Sequence, residues 1–238
     1  MKRRIPPAFL SVAAGFVLLW HAGGSSAQPR LATGSDADVT EEGLHRVDPS
    51  IMEAAWVRPD LDLSAYTRIL LMPTAVQFRE VGERSFNSRT RIGITEFPLD
   101  DERKEWLREV WRRAVEETFV QEPSYDLYYG AGSDVLVVQG FLVDVVSHIP
   151  PDDTGSDFTY ISDPWIASVV LELRDGTTAE LLARTMDRRF AEGRLMDAGT
   201  VWIRTEDLVE RWAQVLPDRL RQLSDLGEQG RRTPTWAR

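Results

Sequence analysis

The chain has no cysteine in its 238 residues. Disulfides, thiol catalysis, thiolate metal sites and a lipid-bearing cysteine are therefore excluded, and the fold must rest on a packed core. Lysine is nearly as scarce. Only Lys2 and Lys104 occur, and arginine supplies the rest of the positive charge. Imidazole is limited to His21, His45 and His148. Long apolar runs are lacking too. The uncharged stretch at 8–20 (AFLSVAAGFVLLW) is shorter than the roughly 20 residues that span a bilayer. No GxSxG elbow, HExxH pair or EF-hand spacing is present. Gly130-Ala131-Gly132 precedes a strand pattern, whereas a dinucleotide loop follows a strand and opens a helix. Positive charge is also in deficit: 28 basic residues stand against 38 acidic, a net charge of −10. That balance argues against nucleic acid and anionic headgroups as partners.

What is present begins at the amino terminus. Lys2, Arg3 and Arg4 precede the apolar run, and a short polar segment ends in Ser25-Ser26-Ala27. This three-part plan is that of a secretory signal peptide cleaved after Ala27. It predicts a periplasmic protein with no integral membrane segment once residues 1–27 are removed. Residues 28–42 are polar and small and read as a flexible leader. Residues 43–226 form one domain, and 227–238 a tail.

Within the domain, periodicity predicts the elements. Apolar pairs at Ile51-Met52 and Ala55-Trp56 suggest a short helix within 43–62. Residues 68–73 (RILLMP) read as a strand, which 75–79 resumes beyond Pro73. Residues 100–120 carry Trp106, Leu107, Val110, Trp111, Ala114, Val115 and Phe119 at helical spacing, with an Asp100 or Asp101 cap. Residues 134–147 are apolar on both alternating faces, as in a central strand covered on each side. Val137, Phe141, Leu142, Val143 and Val146 are its expected core. Residues 165–174 and 179–188 flank Asp175-Gly176 as an antiparallel hairpin. Residues 205–226 read as a helix that Pro217 kinks or divides. The expected fold is α/β, an α+β-type sandwich. A mixed sheet has a central buried strand and a hairpin in its C-terminal half, and two main helices cover it.

The densest polar constellation is at 148–163, after the central strand. His148, Asp152, Asp153, Asp157 and Asp163 are the candidate binding residues. Their spacing matches no calcium or zinc loop, so neither metal nor cofactor is expected, and no catalytic residue is named. The reading is a non-enzymatic envelope protein that binds an envelope protein partner. The alternative is a periplasmic hydrolase or metal-dependent enzyme using the 148–163 loop.

The run Trp56-Val57-Arg58-Pro59-Asp60-Leu61-Asp62-Leu63-Ser64-Ala65-Tyr66, leading into 68–73, resembles the opening of the bacterial envelope proteins grouped as domain of unknown function 3313. Residues 134–146 and the Leu171-Glu172-Leu173-Arg174-Asp175 to Leu182-Ala183-Arg184 hairpin resemble the rest of that pattern. The resemblance implies an exported protein, often a lipoprotein, without established activity. Because the lipid-bearing cysteine is missing, a soluble periplasmic form is expected.

Overall fold

The computed structural model of the chain describes residues 30–31, 38–48, 52–81, 96–149, 160–161, 164–190 and 196–232. The expected signal peptide lies outside them. The longest strands are β7 (Val135–Ser147), β9 (Trp165–Asp175) and β10 (Leu181–Phe190), which pair antiparallel in that order. Shorter strands flank them: β1 (Arg30–Leu31), β2 (His45–Asp48) and β3 (Ala54–Val57) beyond β10, and β4 (Arg68–Leu71) and β6 (Asp126–Leu127) beyond β7. Strand β5 (Ala75–Phe78) also pairs with β7, parallel like β4 but further along it. Met72 and Pro73 bridge the two stretches, and Gln139 Nε2 donates to the Pro73 carbonyl. Proline here costs no ladder bond, because the break between β4 and β5 is where it sits. A separate ribbon pairs β8 (Tyr160–Ile161) with β11 (Met196–Asp197).

Helices α1 (Asp101–Val120), α2 (Ala198–Ala213) and α3 (Val215–Arg232) cover one face of this open, mixed sheet, an α+β sandwich. The start of α1 is set by Asp100, whose side chain accepts from Arg103 N at 2.7 Å, a cap worth about 1 kcal/mol. Its apolar stripe of Leu107, Trp111, Val115 and Phe119 shares one core cluster with Leu136, Val138 and Leu142 of β7 and with Val169, Leu171 and Leu173 of β9. Each such side chain contributes roughly 1.5–3 kcal/mol by leaving water. Gly140 makes the closest approach possible: a Cβ there would stand 3.0 Å from Leu216 of α3.

Four expectations are corrected. The described residues of the 43–62 segment are not helical. Its strands are β2 and β3, and Ala55 and Val57 are held by pairing with Thr185 and Ala183 of β10. Four-residue strands have no helical or strand periodicity of their own, so tertiary pairing decides them. Among the described residues, strand β7 is covered on one face only. Leu142 and Val146 are buried as expected, but Val137, Phe141 and Val143 lie on the uncovered face and are half-buried. The C-terminal helix begins earlier and divides at Gln214, not at Pro217. Pro217 sits in the first turn of α3, where its missing N–H has no intrahelical partner to lose. That helix then continues through Gly227 to Arg232, into the expected tail. Gly227 is buried, and a Cβ there would meet the Leu61 carbonyl at 2.9 Å.

Candidate functional site

The far end of β7 departs from regular pairing. Its register with β9 shifts between Val143 and Val146. Asp144 takes a positive φ of 54°, a left-handed conformation that aspartate tolerates better than most residues. The bulge turns both Val145 and Val146 inward, at 2% and 1% exposure. It also presents the Asp144 carboxylate to Arg79, the residue after β5. The Arg79 Nε donates to Asp144 at 2.7 Å and Nη1 to Glu96 at 2.7 Å, and Nη2 also reaches Asp144. This hydrogen bonding to arginine holds the Asp144 carboxyl below the usual carboxylate range. Arg79 N meanwhile donates to the Val145 carbonyl at 2.9 Å. One arginine thus ties the edge strand, the bulge and the segment entering α1.

Phe97 completes that entry. Its N–H donates to Ser147 O at 2.8 Å as an isolated antiparallel bridge. Between this bridge, the end of β5 and the first turns of α1 lies a cleft of about 620 Å³. Phe78, Phe97, Leu99, Val145 and Val146 form its apolar walls, and Lys104 of α1 and Ser147 are among its polar lining. Arg108 lies over the Phe78 ring, 5.3 Å from its centroid. The volume is in the range of small-molecule sites.

The Ser147 Oγ accepts from Ile149 N at 3.1 Å, and His148 N donates to the Pro164 carbonyl at 2.9 Å. These bonds fix the chain as it leaves β7. Behind it, Trp165 Nε1 donates to Thr205 Oγ1 at 2.9 Å, and Trp165 and Trp106 both meet Trp202 edge to face. Aromatic pairs of this geometry make a rigid floor.

Of the candidate binding residues, His148 is described and half-buried at the rim of this region. Asp152, Asp153, Asp157 and Asp163 lie outside the described residues. Among the described residues no group of three His, Asp or Glu side chains is placed to hold a metal ion. Sequence reasoning missed Arg79, Asp144, Phe97 and Lys104. The one signal was Asp144 itself, a charge interrupting the apolar run of β7.

A smaller cleft of about 410 Å³ lies between the end of α1 and the α2–α3 junction. Its wall includes Glu122, whose side chain is 4% exposed and bonded at 2.8 Å by Arg221. That pair joins α1's exit to α3 and reads as structural.

No family model and no curated protein matches the chain. Among solved structures, a PelC dodecamer from Paraburkholderia phytofirmans is similar at 11% identity, over 71% of this chain and 94% of that one, with a TM-score of 0.33. A neuraminyllactose-binding hemagglutinin homologue from Helicobacter pylori is similar at 5% identity, over 75% of this chain and 88% of that one, with a TM-score of 0.29. A PDZ domain protein from Parabacteroides distasonis follows at 9% identity and a TM-score of 0.28; this chain spans 30% of its length. Scores this low mark partial overlap of elements, and none of the three bears on function.

Proposed function

We propose that the protein is exported to the bacterial periplasm and acts there as a non-enzymatic binding module. The observation that carries the binding half of this reading is the cleft beside Ser147. Its lining combines apolar side chains with Arg79, Glu80, Lys104 and Ser147, and Arg79 and Ser147 are already engaged in bonds that hold the backbone. A catalytic cleft needs a nucleophile and a base aimed at a reacting atom; here those side chains shape a surface. The export half rests on the amino-terminal pattern of Lys2, Arg3 and Arg4, the 8–20 run and Ala27. The 56–66 run, similar to domain of unknown function 3313, fits the same compartment. Among the described residues no helix is long and apolar enough to cross a membrane.

Native mass spectrometry of the protein recovered from periplasm tests both halves. The expected species begins at Gln28 and carries a non-covalent adduct that denaturation removes. Full-length chain confined to the membrane fraction would refute export. Turnover of ester or phosphate substrates that His148→Ala abolishes would replace the binding reading with a hydrolase.

A further inference from the structure

The two ends of the sheet, β1 and β6, are two residues long each and carry Arg30 and Asp126. Short, charged margins discourage the addition of a further strand. Strand β5 is different. Among the described residues it has a strand, β7, on one side only, and its four residues (AVQF) carry no charge. We propose that β5 pairs antiparallel with the β5 of a second copy of the chain, about a two-fold axis through Gln77, and so joins two sheets edge to edge. This goes beyond the binding-module reading and does not depend on the cleft holding a ligand.

The backbone sets the register. Arg79 N donates to Val145 O of β7. Backbone groups alternate sides along a strand, so those of Gln77 and Ala75 face β7 too, and those of Val76 and Phe78 face outward. A second β5 satisfies the outward groups when Val76 stands opposite Phe78 of the other copy. Residues opposed in this way exchange both N–H to O bonds. The axis repeats the exchange, so four bonds form, with Gln77 facing its own image between them.

The side chains fit the same axis. Val76 and Phe78 lie half-buried on the face that packs against the core, so each valine meets a phenylalanine across the pair. Aromatic and β-branched side chains are favoured partners at opposed positions. Gln77 is exposed on the other face. Its amide both donates and accepts, which suits it to its own image. No like charges meet at the flanks. Arg79 falls opposite Ala75 and Glu80 opposite Thr74, and Arg79 is already held by Asp144 and Glu96. The contact is small, below the roughly 1,200 Å² of a standard stable interface, so the association is reversible and follows concentration.

Sedimentation velocity of the purified protein over a concentration series tests this. The wild-type chain is expected to move from monomer toward dimer as concentration rises. Gln77→Lys and Gln77→Glu each set two like charges face to face across the axis, and each should weaken the dimer about tenfold or more. Mixed in equal amounts, the two variants place lysine opposite glutamate and should restore it. Because Gln77 is exposed, both substitutions leave the fold intact, which circular dichroism checks. Val76→Pro removes an outward N–H, a change that edge strands tolerate, and should abolish the dimer. A wild-type chain that stays monomeric throughout, a dimer unmoved by Gln77→Lys, or a mixture that fails to restore association would overturn the proposal.

Discussion

Arg219 of α3 grips Asp187 of β10 through two parallel contacts, Nε to Oδ2 and Nη2 to Oδ1, each 2.7 Å. The side chains are 12% and 8% exposed, so the pair is a buried fork joining the last helix to the sheet. Arg189 Nη2 approaches the same carboxylate at 3.5 Å. Asp187→Ala therefore strands the Arg219 guanidinium without its counter-ion. Removing one partner of a buried pair costs about 3–5 kcal/mol. Urea unfolding should show a midpoint shift of that size, whereas Asp187→Leu combined with Arg219→Met should lose much less. An equal loss in the single and double variants would show that packing, not the stranded charge, sets the cost.

The two faces of β7 should respond differently to truncation. Leu142 is fully buried beneath the helices, while Val137 lies half-buried on the uncovered face. Leu142→Ala is expected to cost about 2–5 kcal/mol, as core truncations do. Val137→Ala should cost well under half of that, measured by the same denaturant titration. Equal losses would mean that something covers the second face in solution.

The β9–β10 turn should be sensitive to pH. The Asp175 carboxylate accepts from Thr177 N at 2.9 Å, Thr178 N at 2.7 Å and Tyr66 OH at 2.8 Å. These bonds, the Thr178 amide first, lower its pKa to about 2. Burial and then the bond to Asp175 raise the Tyr66 hydroxyl above its ordinary range. A depressed carboxyl contributes stability that is fully present above its unfolded pKa, near 3.9, and is lost as pH falls toward 2. Asp175→Asn should thus destabilise at pH 7 and much less at pH 2. Parallel stability curves for the two proteins from pH 7 to 2 would remove Asp175 from the acid transition.

Gly176 in that turn admits no side chain. A Cβ there would lie 2.4 Å from the Val135 carbonyl oxygen, and Gly176 N donates to that same oxygen at 3.0 Å. Because the obstacle is backbone, the turn must move. Gly176→Ala should cost about 1–3 kcal/mol, read as a lowered melting temperature. An unshifted melt would show that the turn relaxes freely.

The legible parts of the fold were those whose signal is local. Trp106 to Phe119 repeat at helical spacing, and Asp175-Gly176 punctuates two alternating runs; α1 and the hairpin follow directly. The short strands β2 and β3 were misread because Ala55 and Val57 take their conformation from β10, more than a hundred residues away in the chain. Both faces of β7 are apolar, which implied cover on both. The valines on the second face instead gain partial burial from neighbouring strands. The site was less legible still. His148 was singled out, but the cleft is assembled from β5, the 96–100 entry, α1 and the β7 bulge. No pattern in one segment announces it.

The parallel pairing of β4 and β5 with β7 also sets an order of events. Hairpin β9–β10 closes through a short turn, so its loop-closure entropy is small and it can form early. Strands β4 and β5 reach β7 only after the chain has passed through α1, and their contacts join residues such as Ile69 and Leu136. They should dock late, on a hairpin already joined by β7. The cleft is built where β5 meets the bulge, so it lies on a margin of the sheet that is added after the hairpin. Its amides are therefore expected to exchange with solvent through local opening, well before those of β9 at the centre. Assembly of the seat and its looseness share one origin, the distance in sequence between the strands that make it.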